Sequence, residues 1–153
     1  MDKYIATNRE RLSEAYTFTT SFLDRQGIKY SPGSNAAFFL WVDLGSYFKT
    51  SHPEFFASSA TLTSSDVEPS KEARDEVLKR EIVEAEKDIT GFIAERLLGK
   101  KVFLASGKAF GAEADGWFRI VFSHERKTLV EGLVRMLSAV GSPGEDLVLR
   151  LKE

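Results

Sequence analysis

The sequence contains no cysteine, which excludes disulfide bonds, thiolate metal sites and cysteine nucleophiles. It has no apolar run near the roughly 20 residues that a membrane-spanning helix needs. It also lacks a basic excess, since 21 basic residues stand against 23 acidic ones and give a net charge of -2. Nucleic-acid-binding domains are usually basic, so we expect neither nucleic acid nor membrane among the partners of this protein.

The composition that remains is typical of one globular domain. The 153 residues are 42% hydrophobic and 29% charged, and 12 phenylalanines supply material for a core. A chain of this length can bury roughly two thirds of its unfolded surface. The first residues carry no apolar signal core, which indicates a cytoplasmic protein.

The hydrophobic pattern predicts a mixed fold. Helical spacing of apolar residues predicts helices over residues 3–26, 69–98 and 123–140, the last of them capped by Ser123. Short β-prone runs predict strands at 28–30, 36–44, 102–106 and 117–122, and the apolar run at 36–44 indicates a strand covered on both faces or nearly so. We therefore expect an α+β fold, a two-layer sandwich with helices covering a small, mostly antiparallel sheet.

One domain boundary and one insertion follow from the same pattern. Residues 1–141 are expected to form the domain, with a serine-rich surface insertion at about 57–68. The tail at 142–153 alternates near its end and predicts an added edge strand. Residues 47–56 are ambiguous, with a candidate short helix around 53–56.

Arg119 is the side chain whose sequence environment most clearly requires a binding partner. It lies in the middle of the run Trp-Phe-Arg-Ile-Val-Phe, where alternation puts it opposite to the apolar Phe118, Ile120 and Phe122. A guanidinium in so apolar a setting needs an anionic partner, and its planar fork matches a carboxylate. An external carboxylate or phosphate would serve, and so would an internal ion pair with Glu113, Asp115 or an acid on a helix.

Other candidate chemistry is weaker. Lys108 follows a glycine, but the spacing fails the phosphate-loop pattern, and nothing marks this lysine as a Schiff-base residue. His52 and His124 have no second ligand at metal-site spacing, which favours surface or capping roles. Ser106 lacks the motif of a hydrolase nucleophile. We expect no catalytic residue, no metal ligand and no cofactor-binding residue in this chain.

Three stretches resemble the small, C-terminal domain of fold-type-I pyridoxal-phosphate enzymes. Residues 4–12 are similar to the helix that enters that domain, and 35–44 (Asn-Ala-Ala-Phe-Phe-Leu-Trp-Val-Asp-Leu) to its Asn-Ala-Gly strand that ends in Trp-x-Asp-Leu. Residues 106–110 (Ser-Gly-Lys-Ala-Phe) and 116–119 (Gly-Trp-Phe-Arg) resemble its Pro-Gly-x-x-Phe and Pro-Gly-Trp-Phe-Arg motifs. The branch most like this chain is that of the class I aminotransferases that includes 1-aminocyclopropane-1-carboxylate synthase.

The resemblance implies roles for particular residues. The arginine of the last motif binds the substrate α-carboxylate in that family, which assigns this role to Arg119, with Ser106, Phe110 and Trp117 close around it. The cofactor implied is pyridoxal 5'-phosphate in the complete enzyme, but its anchoring lysine belongs to a large domain that this chain lacks. The implied partners are an amino-acid substrate and the large domain or a partner chain, and a homodimer is possible. We expect the isolated chain to be inactive.

Departures from the family pattern leave a second hypothesis open. Ala37 replaces a glycine, Ser106 a proline, and Asp115 the proline before Gly116. Asp115 stands four residues from Arg119 and could compete with a substrate carboxylate. The alternative is a non-catalytic binding or assembly module that retains the fold and uses the face left uncovered by the absent domain.

Overall fold

The described elements follow the order of one helix, one strand, three helices, two short strands and a last helix. The computed structural model describes residues 2–32, 38–53 and 69–141. Within these ranges the helices are α1 (Asp2–Gln26), α2 (Leu44–Ser51), α3 (Pro69–Lys87), α4 (Ile89–Gly99) and α5 (Arg126–Val140). The strands are β1 (Phe39–Asp43), β2 (Ala105–Ser106) and β3 (Trp117–Val121), and a 3₁₀ turn spans Gly107–Phe110.

The three strands form one antiparallel sheet with β3 in the centre and the order β1-β3-β2. β1 pairs with β3 along its whole length, from Phe39 opposite Val121 to Asp43 opposite Trp117. β2 pairs only through Ala105 opposite Arg119 and Ser106 opposite Phe118. The helices pack against one face of this sheet, which confirms the α+β two-layer fold.

Strand alternation separates a core face from an open face. Leu40 and Val42 of β1 and Phe118 and Ile120 of β3 are buried, because their side chains point to the helical layer. The helices contribute buried apolar residues at helical spacing to the same core, among them Phe22, Leu23, Phe48, Ile93, Leu97, Leu133, Met136 and Leu137. One continuous core therefore holds the sheet by a single face.

A backbone contact between two glycines fixes where β3 begins. Asp43 ends β1 and caps α2, since its carboxylate accepts a hydrogen bond from the Ser46 amide at 2.9 Å. The amide of Gly45, two residues after Asp43, donates a hydrogen bond to the Gly116 carbonyl at 2.9 Å. The Gly116 amide in turn donates to the buried Thr90 hydroxyl at 2.8 Å. The residue before Trp117 is thus held by both α2 and α4.

The predicted helix over 69–98 is wrong as one continuous helix. It breaks at Asp88, where α3 ends and α4 begins. The Asp88 carboxylate accepts a hydrogen bond from the Gly91 amide at 3.1 Å, so this residue caps a new helix in the middle of the predicted one. Apolar spacing continues across the break from Ile82 to Ile93, and both are buried. Periodicity alone therefore did not reveal the interruption.

Several predicted boundaries also need correction. Within the described part of 36–44, the strand covers only 39–43, because Leu44 already starts α2. The strand over 102–106 shortens to Ala105–Ser106, and 28–30 contributes one isolated bridge, Tyr30 to Val42. The last helix begins at Arg126 with Glu125 as its cap, so Ser123 does not cap it.

Some predictions fall on residues outside the described ranges. These are Asn35 to Ala37 of the first strand motif, the serine-rich stretch at 57–68, and the tail at 142–153 with its edge strand. The boundary between domain and tail stays a prediction. In the part of the chain that the structure describes, no helix combines the length and the apolar character needed to cross a membrane.

Candidate functional site

The open face of the sheet carries the candidate site. Phe39 and Trp41 of β1 and Trp117, Arg119 and Val121 of β3 share this face, and all five are half-buried. Phe38 and Phe110 at its margin are 56% and 55% exposed. Among the described residues no helix packs against this face, so β1 is fully buried on one face and only half-buried on the other, whereas the sequence predicted cover on both faces or nearly so. Such a surface is typical of an interface or a ligand site.

Arg119 lies between two phenylalanine rings on this face. Its guanidinium carbon is 5.0 Å from the ring centroid of Phe39 and 4.6 Å from that of Phe110. Trp41, directly opposite Arg119 in the sheet, packs edge-on against both rings at 6.2 Å and 5.8 Å. The three aromatic residues form a clamp, Phe39–Trp41–Phe110, which restricts the orientation of the guanidinium through packing and cation–π attraction.

The clamp leaves the guanidinium without an anion. Among residues 2–32, 38–53 and 69–141, no carboxylate forms an ion pair with Arg119. Its Nε is buried and has no hydrogen-bond partner in that part of the chain. Glu113 and Asp115, the acids considered from the sequence, are both exposed. Within the described ranges Arg119 therefore has no internal ion pair, and a buried donor of this kind is costly unless a ligand or partner satisfies it.

A shallow cavity of about 300 Å³ adjoins the clamp. Trp41, Phe110 and Trp117 line it together with Ser31, Gly111 and Ala112. Trp117 precedes Arg119 by two residues and so points to the same side of the sheet. The surface beside the arginine can accommodate the apolar part of a small anionic ligand.

The structure separates the residues that the resemblance grouped around Arg119. Phe110 contacts the guanidinium directly, and Trp117 shares its face and borders the adjoining cavity. Ser106 pairs with Phe118 and therefore points toward the core side, away from Arg119. Geometry thus brings together Arg119, Phe110 and Trp117, but not the Ser106 side chain.

Sequence reasoning missed Phe39 and Trp41 as parts of the site. The sequence contained a signal for them, because 39, 41 and 43 are alternate positions of β1 and so belong to one face of the strand. Asp43, which caps the following helix, marks where this strand ends. The register with β3 was not deducible from one sequence, and only that register places Trp41 opposite Arg119.

None of the other polar candidates belongs to the clamp. Lys108 is exposed and lies 3.8 Å from the Asp88 carboxylate, which is not the desolvated setting of a Schiff-base lysine. His52 ends α2, stacks on Phe48 and lies 3.2 Å from the Phe48 carbonyl oxygen through Nδ1. Of the surface or capping roles expected for it, the cap is the one observed, since His52 is buried. His124 is exposed. In the described ranges no three His, Asp or Glu side chains gather as a metal site.

Comparison with known proteins points to one group of relatives. The chain is 30% identical over 133 residues to 1-aminocyclopropane-1-carboxylate synthase-like protein 1 of Bos taurus, and 29% identical over 133 residues to that of Homo sapiens. The Takifugu rubripes protein of the same name is 28% identical over 138 residues. No family model matches the sequence, and no solved structure matches it.

These alignments cover most of this chain but little of the relatives. They include 87% of the chain for the two mammalian proteins and 90% for the fish protein, against 20%, 20% and 17% of those proteins. The chain thus spans about one fifth of the length of the relatives it matches. The fold is the two-layer α+β class expected of a pyridoxal-phosphate enzyme small domain. The chain is related to the 1-aminocyclopropane-1-carboxylate synthase-like proteins, which confirms the resemblance drawn from its motifs.

Proposed function

We propose that this chain is the part of a pyridoxal-phosphate-dependent amino-acid enzyme that binds the substrate carboxylate, and that Arg119 is the binding residue. The observation that carries the proposal is the clamped guanidinium, whose buried Nε has no partner in the described part of the chain. A carboxylate would supply the missing acceptor through a charge-assisted hydrogen bond. The rings of Phe39 and Phe110 would keep the Arg119 guanidinium in its binding orientation, so that little side-chain entropy is lost on binding.

The open aromatic face supports a partner that brings the rest of the active site. Phe38 and Phe110 border that face, and the first turns of α1, with Tyr4 76% exposed, are likewise left uncovered. We infer that a large domain, in the same polypeptide or in a partner chain, covers these surfaces. When the partner closes over the clamp, it would exclude water from the arginine and strengthen its interaction with the carboxylate.

The cofactor itself does not fit the residues described in this chain. Pyridoxal phosphate needs a desolvated lysine and a phosphate cradle, whereas Lys108 is exposed and paired with Asp88. We therefore assign the cofactor to the partner domain and derive no chemical step from it. The isolated chain is expected to be inactive, and its cytoplasmic location stays a prediction.

Carboxylate binding can be tested on the full chain without any cofactor. We would titrate it with an N-acetyl amino acid and follow the Nε–H resonance of Arg119 by NMR, with the corresponding amino-acid amide as the ligand that lacks the carboxylate. The resonance should move with the acid and not with the amide. Arg119→Gln should abolish binding. Arg126→Gln is the matched control, because Arg126 also stacks on a ring, that of Phe18, but lies outside the clamp.

A second measurement tests the enzyme role. The chain would be co-expressed with a lysine-bearing large domain and assayed for cofactor-dependent turnover of amino acids. Turnover should need both parts and should fall at least about a hundredfold in Arg119→Gln, the loss expected of a buried charge-assisted contact made in the transition state. Equal binding of acid and amide, or unchanged turnover in the variant, would remove the support for this function.

A further inference from the structure

A groove lies along the edge of β3 that faces away from β1, beyond the point where the short strand β2 begins. Its volume is about 340 Å³, and it lies between the segment 101–105, residues 119–121 of β3 and residues 128–136 of α5. We call it the β3-edge groove, and its walls include Val102, Leu104, Val121, Leu129 and Gly132. Phe103, beside it, is 81% exposed.

At this groove, on the side away from β1, the backbone of Val121 has no pairing partner among the described residues. The Phe122 amide donates to the Phe38 carbonyl on the β1 side, so the backbone groups of Val121 point to the opposite edge. Continuing the register of Ala105 with Arg119 would put Phe103 opposite Val121, yet no backbone hydrogen bond joins the two. An N–H and a C=O at an open edge form a template for an added strand.

A glycine in the middle of α5 keeps the groove open. Gly132 lines it, and a Cβ built on this residue would meet no atom within 4 Å. Alanine would therefore fit, although glycine inside a helix is about 1 kcal/mol less favourable than alanine. Glycine thus lowers helix stability at Gly132, a position where any larger side chain would narrow the groove.

The charges along the groove select the partner. Three cationic side chains, Lys101, Arg119 and Arg135, line it together with His124, against the single carboxylate of Glu131. That carboxylate is paired with Arg135, so these two charges cancel and the cations left to attract an acidic segment are Lys101 and Arg119. Apolar walls below a cationic rim complement a segment that alternates apolar and acidic side chains.

We propose that the β3-edge groove binds an extended peptide segment of a partner protein, with alternating apolar and acidic residues, which adds as a strand beside Val121. A peptide backbone can satisfy both the N–H and the C=O of Val121, whereas a small organic acid supplies no donor for the C=O. The proposal goes beyond the carboxylate site. The groove shares Arg119 with that site, but strand pairing at the Val121 backbone does not need Arg119, so a chain that failed to bind amino-acid carboxylates would still bind such a peptide here.

The test uses the full chain and a blocked seven-residue peptide in which valine alternates with glutamate. Calorimetry should detect binding, and amide exchange by NMR should slow at Val121 by about tenfold or more in the complex. Replacing glutamate by lysine in the peptide should weaken binding by about tenfold. N-methylation of the central valine should weaken it as well, because one backbone donor is lost.

Gly132→Leu provides the decisive variant. Leucine raises helix propensity and fills the groove, so the variant should unfold no more easily than the native chain and yet lose peptide binding. Ser138→Leu adds the same side chain to an exposed position of α5 and should bind normally.

Three results would overturn the proposal. Equal binding of a small apolar acid such as octanoate would make the groove a small-molecule site. Concentration-dependent protection of Val121 without peptide would make a second copy of this chain the occupant. Protection of Val121 in the dilute free chain would show that other residues of the same chain already cover the edge.

Discussion

The amide of Gly45 donates a hydrogen bond to the carbonyl of Gly116 at 2.9 Å, which joins the first turn of α2 to the residue that precedes β3. A Cβ at Gly45 would lie 2.8 Å from the Gly116 Cα, and this backbone cannot yield without moving the strand that carries Arg119. Gly45→Ala should lower the free energy of unfolding by about 1–3 kcal/mol, measured by urea denaturation. Gly99→Ala is the control, since a Cβ there meets no atom within 4 Å. Equal stability of the two variants would show that the glycine contact is dispensable.

The clamp around Arg119 can be tested by removing one ring while keeping its apolar volume. Phe110→Leu should lose a cation–π contact worth about 0.5–1 kcal/mol and let the guanidinium reorient. We expect faster solvent exchange of the Arg119 Nε–H by NMR and weaker carboxylate binding. Phe103→Leu removes a more exposed ring for which no contact with Arg119 is found, and it should leave the resonance unchanged. Unchanged exchange in Phe110→Leu would mean that the clamp does not position the arginine.

The sequence predicted the two layers and the strand that carries Arg119, because those features depend on local alternation. Phe118, Ile120 and Phe122 are buried as their spacing indicates, and Arg119 faces the other way. The helical stripe through Ile82 and Ile93 was also predicted correctly as core. Such patterns need no knowledge of distant contacts.

The clamp and the groove depend on contacts between residues far apart in the sequence. Phe39 and Phe110 meet at Arg119 only because β1 and the 3₁₀ turn flank β3, and a single sequence does not give that register. The start of β2 only at Ala105 was equally hidden, because Val102 to Leu104 have the residue types of a strand. Tertiary pairing overrides local propensity at these places.

Asp88 should act as the cap that separates α3 from α4. Asp88→Ala removes the acceptor of the Gly91 amide and should cost about 1 kcal/mol of unfolding free energy. Asp88→Asn retains an acceptor and should cost less, although it loses the exposed ion pair with Lys108. Thermal unfolding of both variants gives the comparison. If asparagine proved as harmful as alanine, the charge and not the cap would be the important property.

Lys101 adopts a left-handed backbone conformation with φ of 59° at the entrance to the β3-edge groove. This conformation is unfavourable for residues with a Cβ, whereas glycine tolerates it. Lys101→Gly should therefore raise the unfolding free energy by about 0.5–1 kcal/mol. Lys100→Gly, at φ of -93°, should lower it, because flexibility is gained only in the unfolded chain. Chemical denaturation of the pair is decisive, and a loss of stability in Lys101→Gly would contradict the assignment of strain.

Tyr30 gives the fold a predictable response to alkaline pH. Burial, and then the neighbouring Asp24 carboxylate, raises the pKa of the Tyr30 hydroxyl above its ordinary value of 10.0. The folded chain therefore holds this proton more tightly than the unfolded chain. The resulting stabilisation is complete below the unfolded pKa and is lost as the pH rises toward the folded pKa.

The measurement is a series of urea denaturations between about pH 8 and pH 11.5, which brackets the tyrosine titration. Tyr30→Phe should lose stability less steeply than the native chain at the alkaline end, because it has no hydroxyl to ionise. At neutral pH it should be slightly less stable, since it lacks the 3.4 Å hydrogen bond from the hydroxyl to Asp24 Oδ2. Tyr4→Phe changes a tyrosine that is 76% exposed and should follow the native profile. Parallel profiles for the native chain and Tyr30→Phe would show that proton binding at Tyr30 is not coupled to folding.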